Sequence, residues 1–392
     1  MSSPLLETYN RVNLTFTEGS GAWLKSSEGN YYLDMGSGIA VNSLGHANLE
    51  LTKALTEQAR KLWHTSNLYQ IPSQIELATK LVDSTFAEKV FFTNSGTESI
   101  ECAIKMARKY QCEKGEFKKT DILTFEGSFH GRSMAAISAT GSEKLTKGFS
   151  PLLPGFKSLP FENSDMLDKL SFEDVCAILI EPIQGEGGIR RASKGFLKKL
   201  REICDRTGAL LIFDEVQSGV GRTGLFFAFE HAEVSPDIVA VAKGIGGGFP
   251  IGCCMSSAKI GESMAPGSHG STFGGNPLAC AVGISVLEKI FSSGFLDSVS
   301  DKGLFFKNQL HELVKKNPSV FGSVRGVGLM LGLKCIKENI SIVGHAQNNK
   351  LLVVPGGDNV IRILPPLNIT YDEIEEAIRR LTKSASDATG DK

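Results

Sequence analysis

The 392-residue chain is poor in the features that would direct it to a nucleic acid, a membrane or a metal. Its 42 basic and 43 acidic residues leave a formal net charge of −1, so the basic excess with which proteins hold polyanions or anionic lipid is missing. A long apolar run is missing too. The longest, Leu278 to Leu287, is interrupted by Gly283 and Ser285 and falls short of the roughly 20 residues that cross a bilayer. Eight cysteines, at positions 102, 112, 176, 204, 253, 254, 280 and 335, lack the paired spacing of a zinc site, and no metal is expected. Several of them lie in apolar runs, which points to buried, reduced thiols rather than disulfides. The opening MSSPLLETYNRVNLTF has neither the apolar core of a signal peptide nor the arginine-rich, acid-poor character of a transit peptide, and a cytoplasmic location is expected. No internal repeat, low-complexity run or long linker is present.

What the chain does have is an acid and an amine, each placed where a buried strand runs out. Ala209 to Phe213 is a short apolar run ending in Asp214-Glu215. Asp237 to Ala242 is another, ending in Lys243 and the glycines Gly244, Gly246, Gly247 and Gly248. Both read as strands covered on two faces. In an open α/β sheet the carboxyl ends of such strands line the ligand crevice. Pyridoxal phosphate needs this pair, a lysine to hold its aldehyde as a Schiff base and a carboxylate to keep its ring nitrogen protonated. An ion pair at a sheet edge is the alternative reading of these two residues taken alone.

The length exceeds that at which a single core stops growing, so two domains are expected. Ala22 to Lys25 and Asn30 to Asp34 read as a hairpin. From about residue 50, strands at Lys89 to Thr93, Asp121 to Phe125 and Val175 to Ile180 alternate with helical stretches. One such stretch carries Ile100, Ala103, Ile104 and Ala107 at helical spacing; another, Lys194 to Thr207, stops at Gly208. This alternation implies a doubly wound, mostly parallel α/β sheet. Past Ile290 come a helix, strands around Leu329 to Leu333 and Leu351 to Val354, and a last helix opening on the capping box Thr370 to Glu373. The tail after Ser384 is small and polar and reads as frayed. The domain division expected is 1–50 with 288–392 as a small α/β domain and 51–287 as the large one.

A phosphate site is the next requirement. Phe91-Phe92-Thr93 leads into Asn94-Ser95-Gly96-Thr97-Glu98 and a helix, whose first free N–H groups suit a dianion. An ordinary N-cap has the same appearance. Another strand end delivers Phe129, which could stack on a planar ring or simply be core. The end of the Asp214 strand offers apolar Val216 and the amide of Gln217, a donor for a phenolate oxygen. Four strand ends thus supply parts of one site.

At these residues the chain resembles the class III aminotransferases, pyridoxal phosphate enzymes of the aspartate aminotransferase fold. The matching segments are SGIAVNSLGH (37–46), FFTNSGTES (91–99), FEGSFHGRS (125–133), EPIQGEGG (181–188), IFDEVQSGVGRTG (212–224), AKGIGGGFPIG (242–252), HGSTFGGNPLA (269–279), RGVGLMLG (325–332) and RILPPL (362–367). They span nearly the whole chain in the family's order. Ser133 after Arg132, where threonine is usual, and Ser99-Ile100 are small departures away from the chemistry.

The resemblance implies a large domain with a mostly parallel seven-stranded sheet. It implies that Lys243 forms the Schiff base, that Asp214 pairs with the ring nitrogen and that Gln217 contacts the ring oxygen. Phe129 and Val216 would sandwich the ring. Ser95, Gly96 and Thr97 would hold the phosphate, together with Thr272 reaching across from a second subunit of an obligate homodimer. Substrate binding falls to Arg132, Ser271, Arg362, Glu186 and Gly38. Arg362 would take the α-carboxylate of glutamate or 2-oxoglutarate and Arg132 the far one, each suited to a bidentate fork. When a terminal amine reacts, Glu186 would neutralise Arg362. Gly38 stands where ornithine-specific relatives carry tyrosine, which favours acetylornithine as donor over ornithine. Succinylornithine, succinyldiaminopimelate and 4-aminobutyrate are the alternatives within the class. A nicotinamide oxidoreductase is the alternative outside it, disfavoured because the glycines after Lys243 do not follow G-x-G-x-x-G and Pro250 opposes a helix there.

Overall fold

The computed structural model describes residues 4–390. Short apolar runs become the strands of a seven-stranded sheet, in the spatial order Lys89–Thr93, Gly252–Ser256, Ile238–Val241, Leu210–Asp214, Val175–Ile180, Asp121–Phe125, Phe156–Leu159. The five strands from Ile238–Val241 to Phe156–Leu159 pair in parallel. Gly252–Ser256 runs antiparallel to both its neighbours. Every residue of Val175–Ile180 and of Leu210–Asp214 is buried, as strands covered on both faces require.

Strands were expected at Lys89–Thr93, Asp121–Phe125 and Val175–Ile180, and they have those bounds. The strand expected at Ala209 to Phe213 is shifted by one residue, so Asp214 is itself the last strand residue. Gly252–Ser256 had no signal in the sequence, because Gly-Cys-Cys-Met-Ser neither alternates nor carries a β-branched residue. It is a strand because the facing edges of its two neighbours need partners for their backbone N–H and C=O groups.

The helices follow their periodicity. In Gly96–Glu113 the side chains of Ile100, Ala103, Ile104 and Ala107 are all buried. Lys194–Thr207 starts at Ser193, whose Oγ accepts the Phe196 N–H at 3.1 Å. It ends at Gly208, where φ is 74° and only glycine enters without cost.

The chain ends share one sheet. The hairpin expected at Ala22 to Lys25 and Asn30 to Asp34 forms, with strands Trp23–Ser26 and Tyr31–Asp34, and Leu351–Leu352 adds to it in parallel. A second four-stranded sheet, Phe321–Val327, Met330–Cys335, Val360–Ile363 and Val354–Gly356, is antiparallel throughout. The last helix, Tyr371–Thr389, opens on the expected capping box, with Thr370 and Glu373 each accepting the other's N–H.

The frayed tail is a correction. The helix continues to Thr389, with Ser384 and Ala385 buried. Asn349 Nδ2 donates to Ser384 Oγ at 3.2 Å and to Asp387 Oδ2 at 2.7 Å. Small side chains here permit close packing on helix Asn339–Asn348, which was read as mere polarity. Residues 391–392 of that tail, and residues 1–3 of the opening segment, lie outside the described residues. Among the described residues no single helix is long and apolar enough to cross a membrane. The cysteines are unpaired and all but Cys112 are buried.

Candidate active site

Asp214 ends its strand opposite Ala240 in the neighbouring one, and Lys243 follows three residues later. Both line a cavity of about 300 Å³ at the carboxyl ends of these parallel strands. Asp214 is held on both oxygens: Oδ1 accepts the Val216 N–H at 3.0 Å, and Oδ2 lies 2.8 Å from Nδ1 of His130, whose ring is fully buried. A carboxylate braced in this way is fixed in position at the cavity wall.

Lys243 has φ 48°, a left-handed conformation that a residue with a side chain adopts only when its surroundings impose it, and such residues gather at functional sites. The glycine-rich turn Lys243–Gly246 that follows fixes this geometry. Burial lowers the Lys243 amine from its ordinary pKa against the opposing pull of Glu186 and Asp214. A larger neutral fraction is what a nucleophilic amine requires.

The turn Asn94 to Thr97 brings the N-terminus of Gly96–Glu113 to the same cavity. Ser95 Oγ caps that helix by accepting the Glu98 N–H at 3.3 Å, leaving the first N–H groups for an anion. Gly96 serves a purpose beyond ligand approach. A Cβ there would sit 2.6 Å from Val216 Cγ1, so the glycine lets Val216 reach its place in the cavity wall. Phe129 and Gln217 line the cavity as well, and the buried Gln217 Oε1 has no partner among the described residues. Lysine amine, paired carboxylate, helix N-terminus, aromatic wall and an amide with unfilled capacity together fit a phosphorylated pyridine aldehyde.

Among the expected substrate residues, Arg362 is 2 % exposed and forked on Glu186, with Nη1 to Oε1 at 2.5 Å and Nη2 to Oε2 at 3.1 Å. Its Nε has no acceptor among the described residues. Arg132 is exposed, its guanidinium carbon 5.4 Å from the Phe129 ring centroid. Neither arginine is part of the cavity lining, which Arg362 reaches through Glu186, and three further expected residues stand apart from it. Ser271 Oγ accepts from Asn94 Nδ2 at 3.2 Å, behind the phosphate turn. Thr272 is exposed and lines a separate cavity of about 1140 Å³. Gly38 is exposed in a turn, and nearby Val41 lines the cavity instead.

Two residues escaped the sequence reading. His130 adjoins Phe129 but nothing in its spacing marks it as the brace of Asp214. Glu181 lines the cavity and is the first residue past strand Val175–Ile180, so the strand-end logic that selects Asp214 also reaches it. Burial, and secondarily the charge of Asp214, push its carboxyl up to about 7.

Comparison with known proteins bears on the same reading. Residues 7–384 match the family described as aminotransferase class-III. Acetylornithine aminotransferase of Rhodobacter capsulatus is 55 % identical over 386 residues, covering 98 % of each chain. The solved N-acetylornithine aminotransferase of Stenotrophomonas maltophilia superimposes with a TM-score of 0.86 at 38 % identity, covering 98 % of each chain. An amine transaminase of an uncultivated Pseudomonas species, solved with pyridoxal phosphate bound, gives 0.91 at 27 % identity, covering 99 % of this chain and 98 % of that one. The motifs, the sheet and a match over almost the entire length agree: the chain belongs to the class III aminotransferases, whose cofactor is pyridoxal phosphate.

Proposed function

We propose that this aminotransferase moves the terminal amino group of N2-acetylornithine to 2-oxoglutarate, giving N-acetylglutamate 5-semialdehyde and glutamate, in arginine biosynthesis in the cytoplasm. The observation that carries the substrate reading is the fork between Glu186 and Arg362. A pocket whose α-carboxylate arginine is neutralised, while Arg132 stays open, suits a donor that reacts through its far amine and presents its carboxylate elsewhere. The names of the relatives support the same donor.

When bound, pyridoxal phosphate supplies an electron sink for negative charge developing on the substrate carbon beside the reacting nitrogen. The chain's residues do the rest. Lys243 would hold the group through its amine, and its Nζ would move the proton at the substrate carbon. Asp214, braced by His130, would pair with the ring nitrogen. Gln217 would hydrogen-bond the ring oxygen, Phe129 and Val216 would cover the ring, and Ser95, Gly96 and Thr97 would take the phosphate. Glu186 swings from Arg362 when glutamate or 2-oxoglutarate needs that guanidinium.

The test is a panel of amines offered singly and followed by cofactor absorbance. Acetylornithine and glutamate should each complete a half-reaction alone, as ping-pong kinetics require. Ornithine and 4-aminobutyrate should lag by at least an order of magnitude in kcat/KM, the weight of one missing polar contact. A faster reaction with either would replace acetylornithine as the donor.

We also propose a homodimer with shared sites. Supporting it, exposed Thr272 sits by its chain's second cavity beside Leu68, which is 89 % exposed, in a region carrying Tyr69, Trp63 and Phe273 on the surface. Mixing Lys243→Ala with Thr272→Ala subunits should restore part of the activity that each lacks, because one site of every mixed dimer keeps both residues. Mixed dimers without recovery, Thr272→Ala being inactive alone, would place both residues' action within one subunit.

A further inference from the structure

Glu181 is 5 % exposed and divides its two oxygens between two loops. Oε1 accepts the Phe129 N–H at 2.8 Å and Oε2 accepts the Gly185 N–H at 3.0 Å. The first loop carries the aromatic wall of the cavity. The second carries Glu186, whose carboxylate closes on Arg362. We propose that Glu181 is a positioning residue that ties these loops together, so that the ring covering the cofactor and the carboxylate that selects the substrate are held in one frame. The inference rests on Glu186 acting as the gate.

The chemistry of the tie makes it conditional. Both oxygens accept at full strength only when the carboxyl is ionised, since protonation makes one of them a hydroxyl, a donor and a much weaker acceptor. Asp214 faces Glu181 from the next strand end, His130 from the aromatic loop and Lys243 from the glycine turn. Burial and Asp214 raise its pKa to about 7, with His130 and the two N–H groups opposing. The tie is therefore firm above neutrality and loosened below it.

Hydrogen exchange of the ligand-free protein tests the tie without any turnover. Glu181→Gln keeps the size but offers one acceptor and one donor, so it should release one loop. At pH 8, protection at residues 126–131 or 185–188 should fall roughly tenfold against the unmodified protein, the weight of one charge-assisted hydrogen bond. At pH 6 the difference should shrink, because the unmodified carboxyl is then largely protonated. In the loaded enzyme, Glu181→Gln should weaken the visible circular dichroism of the cofactor and shift donor preference several-fold towards glutamate. Glu181→Asp, too short to span both loops, should behave alike and serves if the glutamine variant folds poorly.

Unchanged protection in both loops, or an equal loss across the whole large sheet, would overturn the proposal. The gate reading fails separately: if Glu186→Ala leaves donor preference unaltered, Glu186 is not the gate, and the exchange data still decide whether Glu181 couples the loops. If Glu186→Ala shifts the preference and Glu181→Gln does not, the coupling alone is lost.

Discussion

Replacing Lys243 by alanine should abolish turnover, with a loss of roughly 10³-fold or more, because on the proposed mechanism one side chain provides both the anchoring amine and the proton carrier. The pocket should survive the change. Asp214 is braced by His130 and by the Val216 N–H, and Gly96 packs on Val216, none of which depends on the lysine side chain. The variant should therefore still bind pyridoxal phosphate, without the covalent link, as equilibrium dialysis and absorbance would show. In the unmodified protein, borohydride should fix the cofactor to Lys243 and to no other lysine. A labelled peptide from elsewhere in the chain would sink the assignment, and so would a Lys243→Ala enzyme that keeps an appreciable part of its rate.

The strain at Lys243 adds a second readout. A residue held at φ 48° with a side chain costs on the order of 1 kcal/mol or more, and Lys243→Gly should relieve it. The glycine variant should be as inactive as alanine yet melt at a higher temperature than alanine does. A lower melting point would mean that the turn Lys243–Gly246 gains more from restricted backbone freedom than it loses to strain.

The parts of the site that were legible in the sequence are those written locally. Asp214 and Lys243 announce themselves because an apolar run ends in a charge, and the phosphate turn because a strand gives way to Ser95-Gly96-Thr97 and a periodic helix. The parts that were not legible depend on contacts between distant segments. Nothing near Glu181 in the sequence shows that its oxygens meet Phe129 and Gly185, and nothing near His130 shows that it meets Asp214, 84 positions away. The meeting of Glu186 with Arg362, 176 positions apart, came from family resemblance and not from spacing. The same limit explains the misread tail: Ser384 and Ala385 look like a fraying end until helix Asn339–Asn348 is packed on them. Strand Gly252–Ser256 likewise exists because its neighbours require it.

The fork at Arg362 leads to the second large effect. If Glu186 neutralises Arg362 only while the terminal amine of acetylornithine reacts, Glu186→Ala leaves the guanidinium free to grip an α-carboxylate, and glutamate becomes the better donor by comparison. A charge-assisted pair of this kind is worth about 1.5 to 3 kcal/mol. Each 1.4 kcal/mol is tenfold, so the preference should move by roughly one to two orders of magnitude. Arg362 is 2 % exposed, and without Glu186 its charge loses its carboxylate partner, keeping among the described residues the Pro355 carbonyl at 2.9 Å. An uncompensated buried cation is costly, so Glu186→Ala should also melt at a lower temperature, and 2-oxoglutarate should raise that temperature more than it does for the unmodified protein. Arg362→Ala should do the reverse, weakening the glutamate half-reaction while largely sparing that of acetylornithine. Arg132→Ala should damage both, since on the proposed reading both substrates place a carboxylate there. Single-turnover rates for each half-reaction separate the three variants, and equal loss of both half-reactions in Glu186→Ala would show that the carboxylate supports the site without switching it.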